Sequence, residues 1–497
     1  MNIQMNPGKD EIEMILQASQ EAFMESKSYS IGKRVAMMRA IAAEIEALGP
    51  ELIEAAGAES NLPEGRLTGE KGRTVFQWRS YADALERGDA LDASIDTANA
   101  DRTPPKPDLR KTSIPLGPVA VFGASNFPFA FSTAGGDTAS AFAAGCPVVV
   151  KAHPGHPKTS TLMAEAILKG VEKGGYPKGM FAHLLSNSYE TGQLLVTHPV
   201  IKAVGFTGSY QGGMALVELG NNRPDPIPVF AEMGSINPVF LLSEKLKQDP
   251  EGLASAYAGS LTLGVGQFCT NPGLVVAVDG PELTSFVAAL TIQIQGSVPA
   301  PMLNEGIAKN YLHNKELVTS QDGVEVVAEA TSEAAQGQGK PLVARVMGAE
   351  FLHNDHLQEE VFGPFALIVS CKDNAEMEQV ASRLKGQLTS SLFGTETDLS
   401  AHEKLVSQIQ VKCGRILFNN FPTGVEVVKS MHHGGPFPAA SDSRFTSVGA
   451  DAIKRFTRPF SYQNWPDSLL PEELKDANPL GIFRTINNER TQSPVKR

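Results

Sequence analysis

The sequence has few cysteines and no excess of basic charge. Its four cysteines include no CxxC pair and no Cys/His cluster along the chain, which disfavours a zinc site and a disulfide framework. We therefore predict no metal cofactor. Four thiols in 497 residues fit a reducing cytoplasm, the predicted location. A formal net charge of −12 argues against nucleic acid and against an anionic membrane surface as partners.

Long apolar runs and targeting signals are also missing. No hydrophobic stretch approaches the length of a membrane span, so we expect no membrane association. A charged helical pattern follows the first residues at once, which predicts no signal peptide. The 42% of hydrophobic residues is typical of a globular protein, and the length allows two or three domains.

Short apolar segments alternate with helical patterns from residue 117 onward. Strands are predicted at 119–122, 146–150, 180–185, 203–206 and 229–231, and helices at 159–173, 188–198 and 210–220. This alternation predicts an α/β fold with a parallel sheet covered on both faces. The turns from strand to helix are then the ligand side. A second alternating region, from about 238 to about 420, predicts a second α/β domain.

Cys269 is the most informative residue of the chain. It lies between Gly266 and Gly273, with Pro272 close by. Glycine and proline on both sides predict a tight turn that approaches something closely. This environment favours a thiol that is presented to a ligand. The alternative is a buried small hydrophobic side chain, the usual environment of a free cysteine.

Three polar side chains lie where predicted strands end. Glu232 can place a carboxylate over a cleft, where burial would raise its pKa toward that of a general base, or it can be a solvated strand end. The amide of Asn126 can donate to an oxyanion or can only form a turn. Lys151 can reach ribose hydroxyls or a phosphate, or it can be solvated.

Two further segments suit a nucleotide. Gly208 and Ser209 close a strand, and Gly213 lies in the start of the next helix. Backbone N–H groups at such a helix start bind pyrophosphate, although the spacing is not the GxGxxG fingerprint. Glu360 can hold a sugar diol while Phe362 packs on a planar ring; the alternative is a turn followed by an ordinary core aromatic. The dipeptide His432-His433 is interpreted as structural.

Six segments together, in their order along nearly the whole chain, resemble the aldehyde dehydrogenase superfamily. They are Asn126-Phe127-Pro128, the strand that ends in Lys151, Phe206-Thr207-Gly208-Ser209, Glu232-Met233-Gly234, Gly266-Gln267-Phe268-Cys269 and Glu360-Val361-Phe362-Gly363-Pro364. The resemblance implies NAD(P)-dependent oxidation of an aldehyde to a carboxylate through a thiohemiacetal and a thioester on Cys269. It implies that Asn126 and the Cys269 backbone N–H hold the oxyanion, and that Glu232 activates water.

The same resemblance implies the residues that contact the cofactor. They are Lys151, Gly208, Ser209, Gly213, Glu360 and Phe362. Two positions depart from the superfamily pattern: Ser125 stands where many members have tryptophan, and Pro154 stands where many NAD-preferring members have a glutamate that bonds the adenosine ribose. Without that carboxylate a 2′-phosphate is repelled less, so NAD and NADP are both predicted cofactors.

Other segments resemble the 2-oxoglutarate semialdehyde (2,5-dioxopentanoate) dehydrogenases within the superfamily. They are residues 61–70, 266–273, 422–426, 433–436 and 441–444. This resemblance implies a substrate with a carboxylate, for which Arg444, Thr423 and Lys429 are candidate donors. Three alternatives stay open. They are a long-chain aldehyde dehydrogenase, a non-catalytic protein that keeps the fold, and an enzyme that transfers the acyl group to coenzyme A. The presence of Glu232 counts against the third.

The superfamily resemblance also implies the division of the chain. Two parallel-sheet Rossmann-like domains are expected, a cofactor-binding domain of residues 1–97 and 117–233 and a catalytic domain of residues 234–450. A small oligomerisation element comprises the hairpin at 98–116 and the C-terminal segment 451–497, so we expect a homodimer or homotetramer. The polar end of the chain, 487–497, is predicted to fray.

Overall fold

The computed structural model describes residues 5–496. The predictions that concern residues 1–4 and 497 lie outside the described residues; they include the expected lack of a signal peptide and the two ends of the predicted domains. Among the described residues, no helix combines the length and the hydropathy of a membrane span.

The α-helices of this range, in chain order, are α1 Lys9–Ser26, α2 Ile31–Ala47, α3 Pro50–Ser60, α4 Glu64–Glu86, α5 Gly136–Ala144, α6 Pro157–Lys173, α7 Tyr189–Thr197, α8 Tyr210–Asn221, α9 Ser243–Gln248, α10 Pro250–Thr262, α11 Pro281–Gln295, α12 Glu305–Thr319, α13 Gly348–His353, α14 Asn374–Arg383, α15 Glu396–Ala401 and α16 Glu403–Gln410.

The strands belong to three large sheets and one small ribbon. They are β1 Ser94–Asp96, β2 Leu109–Pro115, β3 Val119–Phe122, β4 Val148–Lys151, β5 Phe181–Leu184, β6 Ala203–Thr207, β7 Val229–Glu232, β8 Val239–Leu241, β9 Leu274–Val278, β10 Ala300–Pro301, β11 Glu325–Glu329, β12 Gln338–Gly339, β13 Leu342–Met347, β14 Phe365–Cys371, β15 Gln387–Phe393, β16 Cys413–Phe418, β17 Thr457–Gln463, β18 Arg484–Ile486 and β19 Glu489–Thr491.

The first sheet is parallel throughout, in the order β5-β4-β3-β6-β7. Its strands are short apolar runs because both faces are covered: Val148 and Val150 enter one hydrophobic core, while Val149 enters the core on the other side. The register aligns Phe122 with Lys151 and Thr207 with Glu232. The polar strand ends therefore lie along one edge of the sheet, as the alternation predicted.

The second sheet has the order β11-β13-β14-β9-β8-β15-β16, and only β11 runs antiparallel to its neighbour. Successive residues of β9 enter opposite cores, Val275 on one face and Val276 on the other. The predicted α/β fold class with two parallel-sheet regions is confirmed.

The third sheet joins two distant parts of the chain, in the order β17-β2-β1-β18-β19. β17 pairs antiparallel with β2 along its whole length. Under this sheet the Arg110 guanidinium is 2% exposed and forms ion pairs with Asp108 and Asp476. The prediction that residues 487–497 fray is wrong for 489–491, because β19 pairs with β18 there.

The segment 439–441, which follows His433 closely in the chain, returns to the first sheet and completes the site. Ala440 forms an antiparallel bridge with Glu232, and the backbone N–H of Met233 donates to the carbonyl of Ala439 at 2.8 Å. The Ser441 hydroxyl donates to the Val229 carbonyl at 2.6 Å. These bonds hold the segment that contains His433 against the end of β7.

Candidate active site

Cys269 follows a turn with an unusual backbone. Gly264, Val265 and Gly266 have φ of 53°, 59° and 65°. Glycine is needed at 266, because a Cβ there would lie 2.3 Å from the carbonyl oxygen of Gly363. A β-branched residue such as Val265 is strained in this region, at a cost of about 1–3 kcal/mol. Asn237 stabilises the end of the turn by donating to the Cys269 carbonyl at 2.8 Å.

Three reactive side chains meet at this turn. The Cys269 sulfur lies 3.5 Å from Nε2 of His433. The same Nε2 lies 3.1 Å from Oε1 of Glu232, whose Oε2 accepts a hydrogen bond from the Ser447 hydroxyl at 2.6 Å. Glu232 and His433 are buried, whereas Cys269 is partly accessible. An imidazole that touches both a thiol and a carboxylate can move a proton between them.

The pKa of Glu232 is lowered, and the expectation that burial raises it is wrong. Burial does act in the raising direction, but the charge of His433 and hydrogen bonds from His433, Ser447 and Cys269 outweigh it. Glu232 is consequently ionised throughout the neutral range and needs no deprotonation before it accepts a proton.

The pKa of Cys269 is raised well above the ordinary thiol value. Burial is the largest cause, the carboxylates of Glu232 and Glu360 add to it, and the charge of Arg73 opposes it. The thiol is therefore protonated in this state. A neighbouring group must accept its proton before the sulfur can act as a nucleophile.

Asn126 lies next to the cysteine turn. Its buried side-chain amide donates to the backbone carbonyl of Gln267 at 3.1 Å, and the backbone carbonyl of Asn126 accepts a hydrogen bond from Arg66 at 2.7 Å. One N–H of the amide is used by Gln267, which leaves the second for a ligand oxygen. The structure thus brings Asn126, Cys269 and Glu232 together, as predicted.

The residues predicted to contact the phosphates lie at the carboxyl edge of the first sheet. Ser209 caps α8, its hydroxyl accepting from the Gly212 N–H at 3.2 Å, so the first N–H groups of α8 lie at this edge. The backbone N–H of Gly208 donates to the Glu232 carbonyl. Gly213 allows α8 to pack on Met233, because a Cβ would lie 2.6 Å from that side chain. Lys151 donates to the Ser186 carbonyl at 2.9 Å.

Glu360 and Phe362 reach the first sheet from the segment that precedes β14. Oε2 of Glu360 approaches Gly234 so closely that a Cβ on that glycine would lie 2.6 Å away, and Oε1 accepts from the Ser235 N–H at 3.4 Å. Burial raises the pKa of Glu360 to about 7, although the Ser235 bond opposes the shift. Phe362 packs, partly buried, against a hydrophobic core of the first sheet. Both predicted residues line one cavity with Ser235 and Phe268, close to the strand end that carries Glu232.

Sequence reasoning missed His433. The dipeptide His432-His433 was interpreted as structural, but the structure places His433 between Glu232 and Cys269. The signal in the sequence is the pair Gly434-Gly435 that follows, because two glycines indicate close backbone packing and therefore a tightly held neighbouring histidine. The structure has this packing: a Cβ at 435 would lie 2.2 Å from the Gln387 carbonyl oxygen.

Two of the candidate donors for a substrate carboxylate already have partners. Arg444 is 79% exposed and pairs with Asp442, and Lys429 pairs with Asp89 at 3.0 Å. Thr423 lies in a loop that Arg415 holds by hydrogen bonds to both neighbouring residues.

The sequence shows no Cys/His cluster, but the fold creates one. One ligand atom each of Glu232, Cys269 and His433 lies within 4.8 Å of the others, the composition of a metal ligand set. A metal on the Cys269 sulfur would block the nucleophile, so we interpret this group as an acid–base and nucleophile cluster.

The site combines a helix N-terminus at the carboxyl edge of a parallel sheet with a cysteine, a carboxylate and an imidazole. This arrangement is typical of a nucleotide-dependent oxidoreductase with a cysteine nucleophile. Comparison with known proteins agrees. The chain belongs to the aldehyde dehydrogenase family, whose family model matches residues 4–458.

Named relatives are similar over almost the whole chain. Alpha-ketoglutaric semialdehyde dehydrogenase 2 of Azospirillum brasilense is 48% identical over 475 residues, 95% of this chain and 90% of the relative. Alpha-ketoglutaric semialdehyde dehydrogenase of Acinetobacter baylyi is 46% identical over 486 residues, covering 97% and 92%. Among solved structures, succinic semialdehyde dehydrogenase of Streptococcus pyogenes in complex with NADP+ shares the fold, with a TM-score of 0.77 at 16% identity, covering 93% of this chain and 96% of that one.

These findings confirm the predicted family and enzyme class, an NAD(P)-dependent aldehyde dehydrogenase. The small-molecule substrate is accordingly an aldehyde.

Proposed function

We propose that this enzyme oxidises 2-oxoglutarate semialdehyde (2,5-dioxopentanoate) to 2-oxoglutarate, with NAD or NADP as the cofactor. The observation that carries the proposal is the 46–48% identity to two alpha-ketoglutaric semialdehyde dehydrogenases over nearly the whole chain. The cluster of Cys269, Glu232 and His433 is intact and provides the groups that the reaction needs.

The cleft fits a nicotinamide dinucleotide. We propose that the N-terminus of α8, with Gly208, Ser209 and Gly213, holds the phosphates, because its free N–H groups and helix dipole favour anions. The Lys151 ammonium lies at the same edge, where it would contact the adenosine half. Glu360 would accept hydrogen bonds from the nicotinamide ribose, and Phe362 would pack beside the ring. Pro154, exposed in this loop, presents no charge to a 2′-phosphate.

The first chemical step uses three side chains of this enzyme. The Cys269 sulfur attacks the aldehyde carbon while its proton passes to His433, the imidazole beside it. The negative charge that develops on the aldehyde oxygen is stabilised by the free N–H of the Asn126 amide and by the Cys269 backbone N–H. When bound, the nicotinamide would supply the hydride acceptor for the resulting thiohemiacetal, and loss of that hydride would leave a thioester on the Cys269 sulfur.

Glu232 then releases the product. Its carboxylate, ionised at neutral pH, takes a proton from water, and the oxygen of that water attacks the thioester carbon. The carbon–sulfur bond breaks, the acid departs and the thiolate recovers its proton. His433 and Ser447 keep the carboxylate directed toward the sulfur.

Absorbance of the reduced cofactor tests the proposed function. We would compare 2,5-dioxopentanoate, succinic semialdehyde and a long-chain aldehyde, each with NAD and with NADP, in the presence and absence of coenzyme A. A clear preference for 2,5-dioxopentanoate, independent of coenzyme A, is expected. Preference for the long-chain aldehyde would contradict the proposed substrate, a coenzyme A requirement would contradict hydrolysis, and inactivity with every aldehyde would favour a non-catalytic role.

Replacing His433 by glutamine is expected to lower kcat/KM by about 10²-fold near pH 7, because the thiol loses a proton acceptor. The loss should shrink as the pH rises, since hydroxide can then deprotonate Cys269. The pH profile of kcat/KM is the measurement, with His432→Gln as the matched control. A uniform loss at every pH would assign His433 a packing role only.

Cofactor binding is expected to weaken as the pH falls below about 7. Glu360 has a raised pKa of about 7, so it is protonated below that pH and accepts fewer hydrogen bonds from a ribose diol. The KM for the cofactor should rise between about pH 8 and about pH 6. In Glu360→Gln it should be about 5- to 10-fold higher at pH 8 and should not vary with pH. Glu359→Gln, an exposed neighbour paired with Lys385, is the control; a parent-like profile in Glu360→Gln would contradict the assignment.

We also propose the predicted division into domains and the predicted assembly. Three separate sheets support a cofactor-binding domain of 1–97 with 117–233, a catalytic domain of 234–450 and an oligomerisation element of 98–116 with 451–497. The pairing of β1 with β2 favours moving the first boundary to before residue 94.

β17 is an edge strand that carries the exposed Phe460, and Trp465 follows it. Such an edge suits a homodimer or homotetramer, and a monomer by light scattering would contradict it.

We infer a cytoplasmic location from the free thiols. All four cysteines are unpaired, and the proposed chemistry requires Cys269 in its reduced form. Fractionation of the cells that produce the protein tests this, and activity found outside the cytoplasm would contradict it.

A further inference from the structure

Two arginines from different sheets and helices lie near the cysteine without an ion pair to a carboxylate. Arg73 lies on α4 and Arg415 on β16. Among residues 5–496 neither forms an ion pair, although both side chains are partly buried and each has a buried nitrogen without a partner. A buried guanidinium normally has an anionic or hydrogen-bonding partner, because its desolvation is costly. Their surroundings therefore call for a ligand.

Arg73 packs against the Phe131 ring, which lies beside His433. Its guanidinium lies 5.2 Å from the centre of the Phe131 ring, and that ring lies 6.2 Å from the ring of His433. Nη2 makes a long hydrogen bond of 3.4 Å to the Val425 carbonyl, while Nη1 is buried without a partner. The nearby carboxylate of Glu70 accepts instead from two backbone N–H groups, at 2.8 and 3.0 Å.

Arg415 approaches the same place from the second sheet. Nη1 donates to the Gly424 carbonyl at 2.9 Å and Nη2 to the Pro422 carbonyl at 3.0 Å. Nε is buried without a partner. Gly424 and Val425 are consecutive, so the two guanidinium groups bind neighbouring carbonyls of the loop 422–425. Both are within electrostatic reach of the Cys269 sulfur, because, against the larger effect of burial, the charge of Arg73 acts to lower the pKa of Cys269 and the charge of Cys269 acts to raise the pKa of Arg415.

Each of these two cations has one unpaired donor nitrogen, Nη1 of Arg73 and Nε of Arg415. Placed near the nucleophile, they match an anion at the far end of a short aldehyde. We propose that Arg73 and Arg415 bind the substrate's carboxylate and so determine specificity for an ω-oxo acid over an uncharged aldehyde. The inference rests on the proposed function. A carboxylate would satisfy both unused donors and offset the burial of both charges.

Arg66 also has a buried Nη1 without a hydrogen-bond partner, but its other contacts give it a different role. Its guanidinium lies 4.8 Å from the Phe127 ring and 5.0 Å from the Phe268 ring, and it donates to the Asn126 carbonyl. These contacts make it a positioning residue for Asn126 and Cys269. We assign it no substrate contact.

The test compares a charged and an uncharged aldehyde of equal length. For Arg73→Met and Arg415→Met, kcat/KM with 2,5-dioxopentanoate should fall on the order of 10²-fold. With pentanal it should change by less than about threefold. Arg383→Met, which removes an exposed arginine paired with Asp355, is the matched control. Inhibition by glutarate, a dicarboxylate without an aldehyde, should weaken in parallel.

The outcomes separate the two proposals. If both variants lose activity equally with both aldehydes, the arginines only position the loop 422–425 or activate the thiol, and the carboxylate assignment is overturned. If the unaltered enzyme does not prefer 2,5-dioxopentanoate to pentanal, the proposed function itself fails. Should the methionine variants not fold, Arg73→Lys and Arg415→Lys keep the charge and lose the fork of donors. They should show a loss of about 5- to 10-fold with the charged substrate alone, and an equal loss with both would overturn the inference.

Discussion

Cys269→Ala should abolish dehydrogenase turnover, lowering kcat by on the order of 10⁴-fold or more, because no other group can form the covalent intermediate. The sulfur lies at the end of a turn held by Asn237 and Gly266, and none of those contacts uses the thiol. Binding of the cofactor should therefore persist, with a Kd within about threefold of the parent value, measured by fluorescence titration.

The matched control is Cys371→Ala. That thiol is fully buried in β14, where burial raises its pKa to about 12, so it is not expected to react. The control should keep turnover within about twofold of the parent. Residual parent-like turnover in Cys269→Ala would assign the nucleophile to another residue.

Glu232→Gln should give a fast burst of reduced cofactor, close to one equivalent per active site, followed by turnover about 10²- to 10⁴-fold slower. The first half of the reaction needs the thiol and the oxyanion donors, which the substitution leaves in place. The second half needs a carboxylate to take a proton from water. Stopped-flow absorbance separates the two phases.

Glu244→Gln provides the comparison for this prediction. Glu244 is exposed and paired with Lys247, so its amide variant should show parent kinetics without a burst. Mass spectrometry should find the acylated Cys269 peptide in Glu232→Gln alone. Steady turnover of that variant at the parent rate would exclude Glu232 from deacylation and leave His433 as the base.

The sequence predicted the parts of the site that depend on strand ends. Asn126, Lys151, Ser209 and Glu232 all lie at or just beyond the carboxyl end of a strand in the first sheet, and the alternation of strands and helices is enough to place them on one edge. Parallel pairing then forces them together, whatever the details of packing.

Residues held by distant contacts were not predictable in the same way. His433 reaches the site because the segment around Ala440 pairs with the end of β7, some two hundred positions earlier in the chain. Arg73 lies on a helix of ordinary composition, and only its contact with the loop 422–425 reveals its importance. The lowered pKa of Glu232 has the same origin, because its cause is the imidazole that sequence reasoning had left out.

The protonated state of Cys269 has a consequence for the durability of the enzyme. Peroxides and alkylating agents react with thiolates far faster than with thiols. Burial and two carboxylates raise the pKa of this thiol, so the resting enzyme presents oxidants with the slow-reacting form. The reactive anion arises only when an acceptor takes the proton during attack on an aldehyde. In the proposed mechanism, the Glu232 carboxylate thus protects the single essential sulfur from oxidation and is also the base that releases the product.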